Sequence, residues 1–130
     1  MGAINSYLPG NIYKDELYIA YQKRHTISDS INTKKLLRGG VKLVAGSDTI
    51  ELGTFIGWSL HREMALFVEY GLTEWESLAT ATINAGDMLG YDFGIEPGSE
   101  GNILILSESP IEDIWNTTKI EKVIHHGSMQ

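Results

Sequence analysis

Glycine closes off the five-residue run 41–45 (VKLVA) on both sides, with Gly39-Gly40 ahead of it and Gly46-Ser47-Asp48 behind. A run this short between two breaks cannot make a helix, and its apolar content reads as a short buried strand. The stretch 33–38 before it fits a short helix, with Asn32 as N-cap and the glycine pair as the stop. An earlier amphipathic helix fits 13–24, where Tyr13, Leu17, Ala20 and Tyr21 recur at three- and four-residue spacing. Helix, Gly-Gly, strand is the second half of a βαβ unit, so the strand belongs in a parallel sheet.

The rest of the chain divides by the same signals. Residues 1–11 carry Gly, Asn, Ser and Pro without a period and read as a loose lead-in. Residues 50–58 are Gly-punctuated and read as a loop. Ser59 is placed to cap a helix that reaches Tyr70, with Leu60, Met64, Phe67 and Val68 in one stripe and Gly71 as its end. Thr73-Glu74-Trp75-Glu76 spells a capping box, and the helix it opens turns Trp75, Leu78, Ala79, Thr82, Ile83 and Leu89 towards a core before Gly90 stops it. Past Pro97-Gly98, residues 103–106 and 119–125 are rich in β-branched side chains and read as strands, with a turn or a single helical turn at 110–117 between them.

Composition excludes several classes of function. A net charge of −7 with no basic run argues against nucleic acid or an anionic membrane as partner. The chain has no cysteine, which removes disulfides, thiolate metal sites and cysteine nucleophiles. No apolar stretch reaches the ~20 residues of a membrane span, and the N-terminus lacks a signal-peptide pattern. A soluble, cytoplasmic chain is the expectation.

Few residues offer chemistry. Asp48 is a carboxylate at a strand end, either a turn residue after Gly-Ser or a functional acid. His61, in the first turn of its helix, is either a substrate-facing or supporting group or a half-exposed surface residue. His25 reads as a surface or packing residue. His125-His126 cannot readily chelate one ion, because neighbours on a strand point to opposite faces. Thr82 and Asn84 lie mid-helix and are suited to local or helix-to-sheet hydrogen bonds. Trp58, Trp75 and Trp115 read as packing anchors, with a substrate-platform role open for Trp58.

Taken in order, several of these segments resemble the end of the amidohydrolase superfamily's chain, in its imidazolonepropionase and Xaa-Pro dipeptidase-like branch. The residues that carry the likeness are the run 39–49 (GGVKLVAGSDT), then Leu60-His61-Arg62-Glu63-Met64 with Val68-Glu69-Tyr70-Gly71-Leu72-Thr73, Ala81-Thr82-Ile83-Asn84-Ala85 with Leu89-Gly90, Glu96-Pro97-Gly98, Pro110-Ile111-Glu112-Asp113-Ile114, and 120–127. Ser99, Gly101 and Asn102 depart from the family's usual residues after Pro-Gly.

The resemblance implies an α/β fold: the terminal βα portion of a TIM-type (β/α)8 barrel, followed by the C-terminal strands of the accompanying small β-sandwich. Residues 1–13 would be a lead-in, 14–93 the end of the barrel with 41–45 its last strand, and 94–130 the share of the sandwich. It also implies that Asp48 is both a ligand of a divalent metal, zinc first, and the base that takes a proton from the metal-activated water in hydrolysis of an amide or cyclic amide-type C–N bond. His61 and Trp58 would stand at the substrate or support the site.

The family's metal site needs a His-x-His, a mid-barrel lysine or glutamate and two later histidines. The chain has no His-x-His, and a barrel of this kind takes ~250 residues. The expectation is a hydrolase fragment, inactive and without tightly bound metal when alone, that needs the missing barrel portion. The alternative is a non-catalytic module that works as a homo-oligomer or with a partner chain.

Overall fold

The computed structural model describes residues 16–48, 54–92 and 94–129, with side chains apart from 16–19 and 21–25. Along the chain come α1 (Glu16–Arg38), α2 (Trp58–Glu69), α3 (Glu74–Ala81), α4 (Ile83–Leu89), β1 (Ile103–Leu106), a 3-10 turn (Ile114–Thr118), β2 (Ile120–His125) and β3 (Ser128–Met129). The lead-in 1–11, and Tyr13 with it, lie outside the described residues.

Two expected helices are one. α1 runs unbroken for 23 residues, because the polar stretch after Arg24 contains no Gly or Pro. Ser, Thr, Asp and Asn lower helix propensity by only a few tenths of a kcal/mol each, ~0.5 on average, too little to end a helix already propagating. The stop is where the glycine pair puts it. Val41 N–H donates to Leu36 O (3.0 Å) and Gly40 N–H to Leu37 O (3.0 Å), with Gly40 at φ 74. This is a Schellman closure, and its left-handed residue favours glycine.

The N-cap of α2 lies two residues earlier than expected, at Gly57 instead of Ser59, and without a side-chain cap. Ser59 is instead turned upstream, its Oγ accepting from Phe55 N–H at 2.6 Å. The capping box at Thr73 forms as its sequence spells: Thr73 Oγ1 accepts from Glu76 N–H while Glu76 Oε2 accepts from Thr73 N–H at 2.7 Å. The helix it opens does not reach Leu89 in one piece. Thr82 Oγ1 donates to Leu78 O at 2.8 Å, taking the carbonyl that its own amide would use. That amide shifts to Ala79 O at 3.3 Å. The backbone there leaves helical angles (φ −126, ψ −96) and a new axis, α4, begins.

The core lies where α2 and α3 meet the 3-10 turn. Met64, Ala65 and Ile114 are buried, with Val68, Leu78 and Ala81 packed on them. Ser77, fully buried, ties the two helices by donating from Oγ to Met64 O at 2.7 Å. Trp75 is not part of this core: at 68% exposure it stands in solvent, and Ile83 and Leu89 are exposed too. The break at Thr82 shifts the phase of the stripe, which explains the last two.

Strands form at the C-terminal end as expected. β1, β2 and β3 make an antiparallel sheet in that order, with a bulge between Ile105 and Leu106. β3 is an addition, folded back through His126 and Gly127 at φ 48 and 72. Both angles are positive, as in the two-residue turns that suit twisted hairpins.

Residues 41–45 carry no strand ladder. A strand exists only by pairing, and among the described residues no other strand lies beside them. Their bonds go to helices: Ala45 N–H donates to Thr80 O (3.0 Å) and Leu43 O accepts from Asn84 Nδ2 (2.8 Å). Asn84 thus bonds from its helix to the 41–45 segment, which is not part of a sheet here.

Candidate functional site

The turn after residue 45 is held from two sides. Gly46 N–H donates to Glu63 Oε2 on α2 at 3.0 Å, and Asp48 O accepts from Thr54 Oγ1 at 3.5 Å. Asp48 itself sits at φ 41, a left-handed conformation that Asp tolerates better than most residues. Burial pushes the Glu63 carboxyl up from its ordinary range, and the Gly46 amide partly offsets this. Glu63 is the site residue that sequence reasoning passed over. Its signal was a carboxylate one position from the buried Met64, hence at the edge of the apolar stripe of α2.

Beside this turn a cavity of about 350 Å³ opens between α1 and α2, lined among others by Asp29, Ser47, Arg62, Glu63 and Tyr70. The Tyr70 hydroxyl is raised by burial first, then by the negative charges of Asp29 and Glu69, while Arg62 acts the other way.

His61 lies elsewhere. With Leu60, Met64, Leu78 and Ile103 it lines an apolar cavity of about 430 Å³ between α2, α3 and β1, not the cavity that contains Ser47. Its Nδ1 is 2.9 Å from Thr117 Oγ1. That hydroxyl spends its one proton on Ile114 O at 2.8 Å, so His61 is the donor and its neutral form carries the proton on Nδ1. Burial lowers its affinity for a second proton.

A pH dependence follows. The folded value lies below the ordinary 6.5, so the unfolded chain binds the proton more readily. The contribution is full above pH 6.5 and is lost as pH falls through the folded value. Denaturant midpoints fall on acidification across that window. In His61→Gln this part of the fall is absent, and identical slopes in both proteins would contradict the assignment.

Trp58, at the start of α2, stacks against Trp115 of the 3-10 turn, with ring centroids 5.9 Å apart and planes tilted by 36°. Both remain partly exposed (47% and 40%), so they clamp α2 to the turn at the surface. His125 and His126 touch edge to face at 4.1 Å. His25 is on α1, but its side chain is outside the described residues.

The family model of the amidohydrolase family matches residues 6–129. The chain belongs to the amidohydrolase family. Among solved structures, this amidohydrolase chain is similar to a Xaa-Pro dipeptidase with methionine bound in its active site (25% identity, TM-score 0.68, covering 78% of this chain and 25% of that one). It is also similar to molinate hydrolase (21% identity, TM-score 0.69, covering 76% and 25%) and to a prolidase-like protein from Bifidobacterium longum (24% identity, TM-score 0.71, covering 75% and 25%). The chain therefore spans about a quarter of the length of these structures. No curated protein matches it in sequence.

Amidohydrolase domains are TIM-barrel-like, and the described portion of this one is a small α/β unit of helices with a three-stranded sheet. The family generally uses a divalent metal. The donors here do not by themselves fit one: among the described residues no group of three or more His, Asp and Glu converges, whereas catalytic zinc takes about three protein ligands. Among the same residues, no helix is long and apolar enough to cross a membrane.

Proposed function

We propose that residues 14–93 form the closing part of an amidohydrolase (β/α)8 barrel, with 41–45 as its last strand, and that 94–130 are a share of the β-sandwich beside it. The reaction is hydrolysis of an amide or cyclic amide-type C–N bond. Asp48, at the end of that strand, is the carboxylate that accepts a proton from the attacking water. A carboxylate at the C-terminal end of a barrel strand is where such folds gather their chemistry.

One observation carries this reading. Within the family match over 6–129, the segment 41–45 is held by helices through Thr80 and Asn84, yet among the described residues it pairs with no strand. An extended segment of this kind offers backbone N–H and C=O groups with which neighbouring strands can pair. The other metal ligands and those strands come from polypeptide outside the 130 residues, and the 130 residues alone are inactive on this reading.

Mixing the chain with a separately produced N-terminal amidohydrolase barrel portion tests it. The expected result is a one-to-one complex by light scattering, with amide hydrolysis that neither part shows alone. A chain that stays monomeric at micromolar concentration and gains no activity would sink the proposal.

A second reading is a non-catalytic module assembled from copies of itself. It is favoured by large apolar side chains left open, such as Ile95 at 83% and Met129 at 67% exposure. A homo-oligomer that ignores the barrel portion is its signature.

A further inference from the structure

We infer that Glu63 is a positioning residue that holds the 46–48 turn in the shape in which Asp48 works. The inference rests on the reading of Asp48 as the functional carboxylate, and it goes beyond that reading by naming what sets its geometry.

Asp48 occupies a left-handed backbone conformation, φ 41, which Asp tolerates better than most residues but which contacts of the neighbouring backbone help to hold. The described ties around it differ in quality. Thr54 Oγ1 reaches Asp48 O at 3.5 Å, the outer limit of a hydrogen bond. Ala45 N–H donates to Thr80 O at 3.0 Å, but this fixes the residue before the turn. The bond from Gly46 N–H to Glu63 Oε2, 3.0 Å long and spanning 17 residues, grips the turn itself and ends on a carboxylate. Hydrogen bonds to an ionised acceptor are about twice as strong as neutral ones.

The anchor is also rigid. Glu63 precedes Met64, whose side chain is in the buried core and whose carbonyl is held by Ser77 Oγ at 2.7 Å. The two salt bridges of the described residues, Lys42–Asp87 and Lys119–Glu108, do not involve it. A half-buried carboxylate directed at a backbone amide, with no cation as salt-bridge partner among the described residues, orients a loop rather than stabilising a surface. Arg62 and Glu63 line the same cavity as Ser47, the residue between Gly46 and Asp48.

The test is nuclear magnetic resonance on the isotopically labelled 130-residue chain. The wild type is expected to show a coupling through the hydrogen bond between the Gly46 nitrogen and the Glu63 carboxyl carbon. In Glu63→Ala, Gly46 amide exchange rises by about 10–100-fold, the factor that matches losing a bond to a charged acceptor. The Asp48 Cα shift and backbone coupling move away from left-handed values, while the β1–β2 resonances stay in place. Glu63→Gln keeps an acceptor and restores the Asp48 signals.

Absence of the coupling in the wild type would overturn the inference, as would Asp48 signals that do not change in a folded Glu63→Ala chain. Should that variant not fold, the wild-type coupling and the Glu63→Gln spectrum still decide. None of these readouts needs activity. A fully active Asp48→Asn enzyme in the completed hydrolase would therefore remove the functional reading without touching the spectra.

Discussion

On the proposed reading of Asp48 as general base, replacing it by asparagine is expected to lower the turnover of the completed hydrolase by about 10²–10⁴-fold, the usual worth of such a group. Asparagine is the informative choice because of the backbone. Asp48 sits at φ 41, and Asn is one of the few residues that enters the left-handed region at little cost. The substitution removes the negative charge and the proton acceptor while leaving the turn in shape. Alanine would mix two effects, adding about 1–2 kcal/mol of backbone strain. The measurement is kcat in the chain complemented by the barrel portion, with thermal unfolding of the chain as the control for folding. Turnover within twofold of the parent would remove Asp48 from the chemistry.

Met64→Ala is expected to cost about 2–5 kcal/mol of folding stability, a large share of the 5–15 typical of a small domain. The reason is how little core there is to redistribute the loss. Among the described residues, Met64, Ala65 and Ile114 are the buried members of this cluster, and Val68, Leu78 and Ala81 are the partly buried ones packed on them. Met64 also stands where α2, α3 and the 3-10 turn converge, and Ser77 grips its carbonyl, so the helices cannot slide together to close the hole. Met88, on α4 and 64% exposed, is the matched control: Met88→Ala should stay within about 0.5 kcal/mol. Urea midpoints at unchanged slope decide the comparison. Equal losses at both positions would mean that the core lies elsewhere.

Much of the local structure was legible beforehand. Gly40, Gly71 and Gly90 end helices where the sequence placed their stops, and Thr73 and Glu76 form the reciprocal cap that their spacing spells. β1 and β2 lie where β-branched residues gather. The family was legible too, because the ordered segments from Gly39 to Gly127 survive as a set. Misreadings came from places where two local signals compete. Asn32 is a good cap, yet α1 passes straight through it. Thr82 has an ordinary place in a helical stripe, but its hydroxyl outcompetes its own amide for Leu78 O.

The turn at Asp48 shows where each kind of information stops. Sequence by itself determined that residues 41–45 are too short for a helix, that Gly46-Ser47-Asp48 leaves them as a loop, and that the chain belongs to the amidohydrolase family. Those properties are written in neighbouring residues or in their order. Tertiary structure alone decided that Glu63 holds Gly46, that His61 faces Thr117 rather than the cavity beside Ser47, and that Trp58 meets Trp115. Each of these pairs is separated by 17 or more positions, and which partners meet depends on how helices pack around Met64. Packing selects among many sterically equivalent pairings, and no local pattern records its choice.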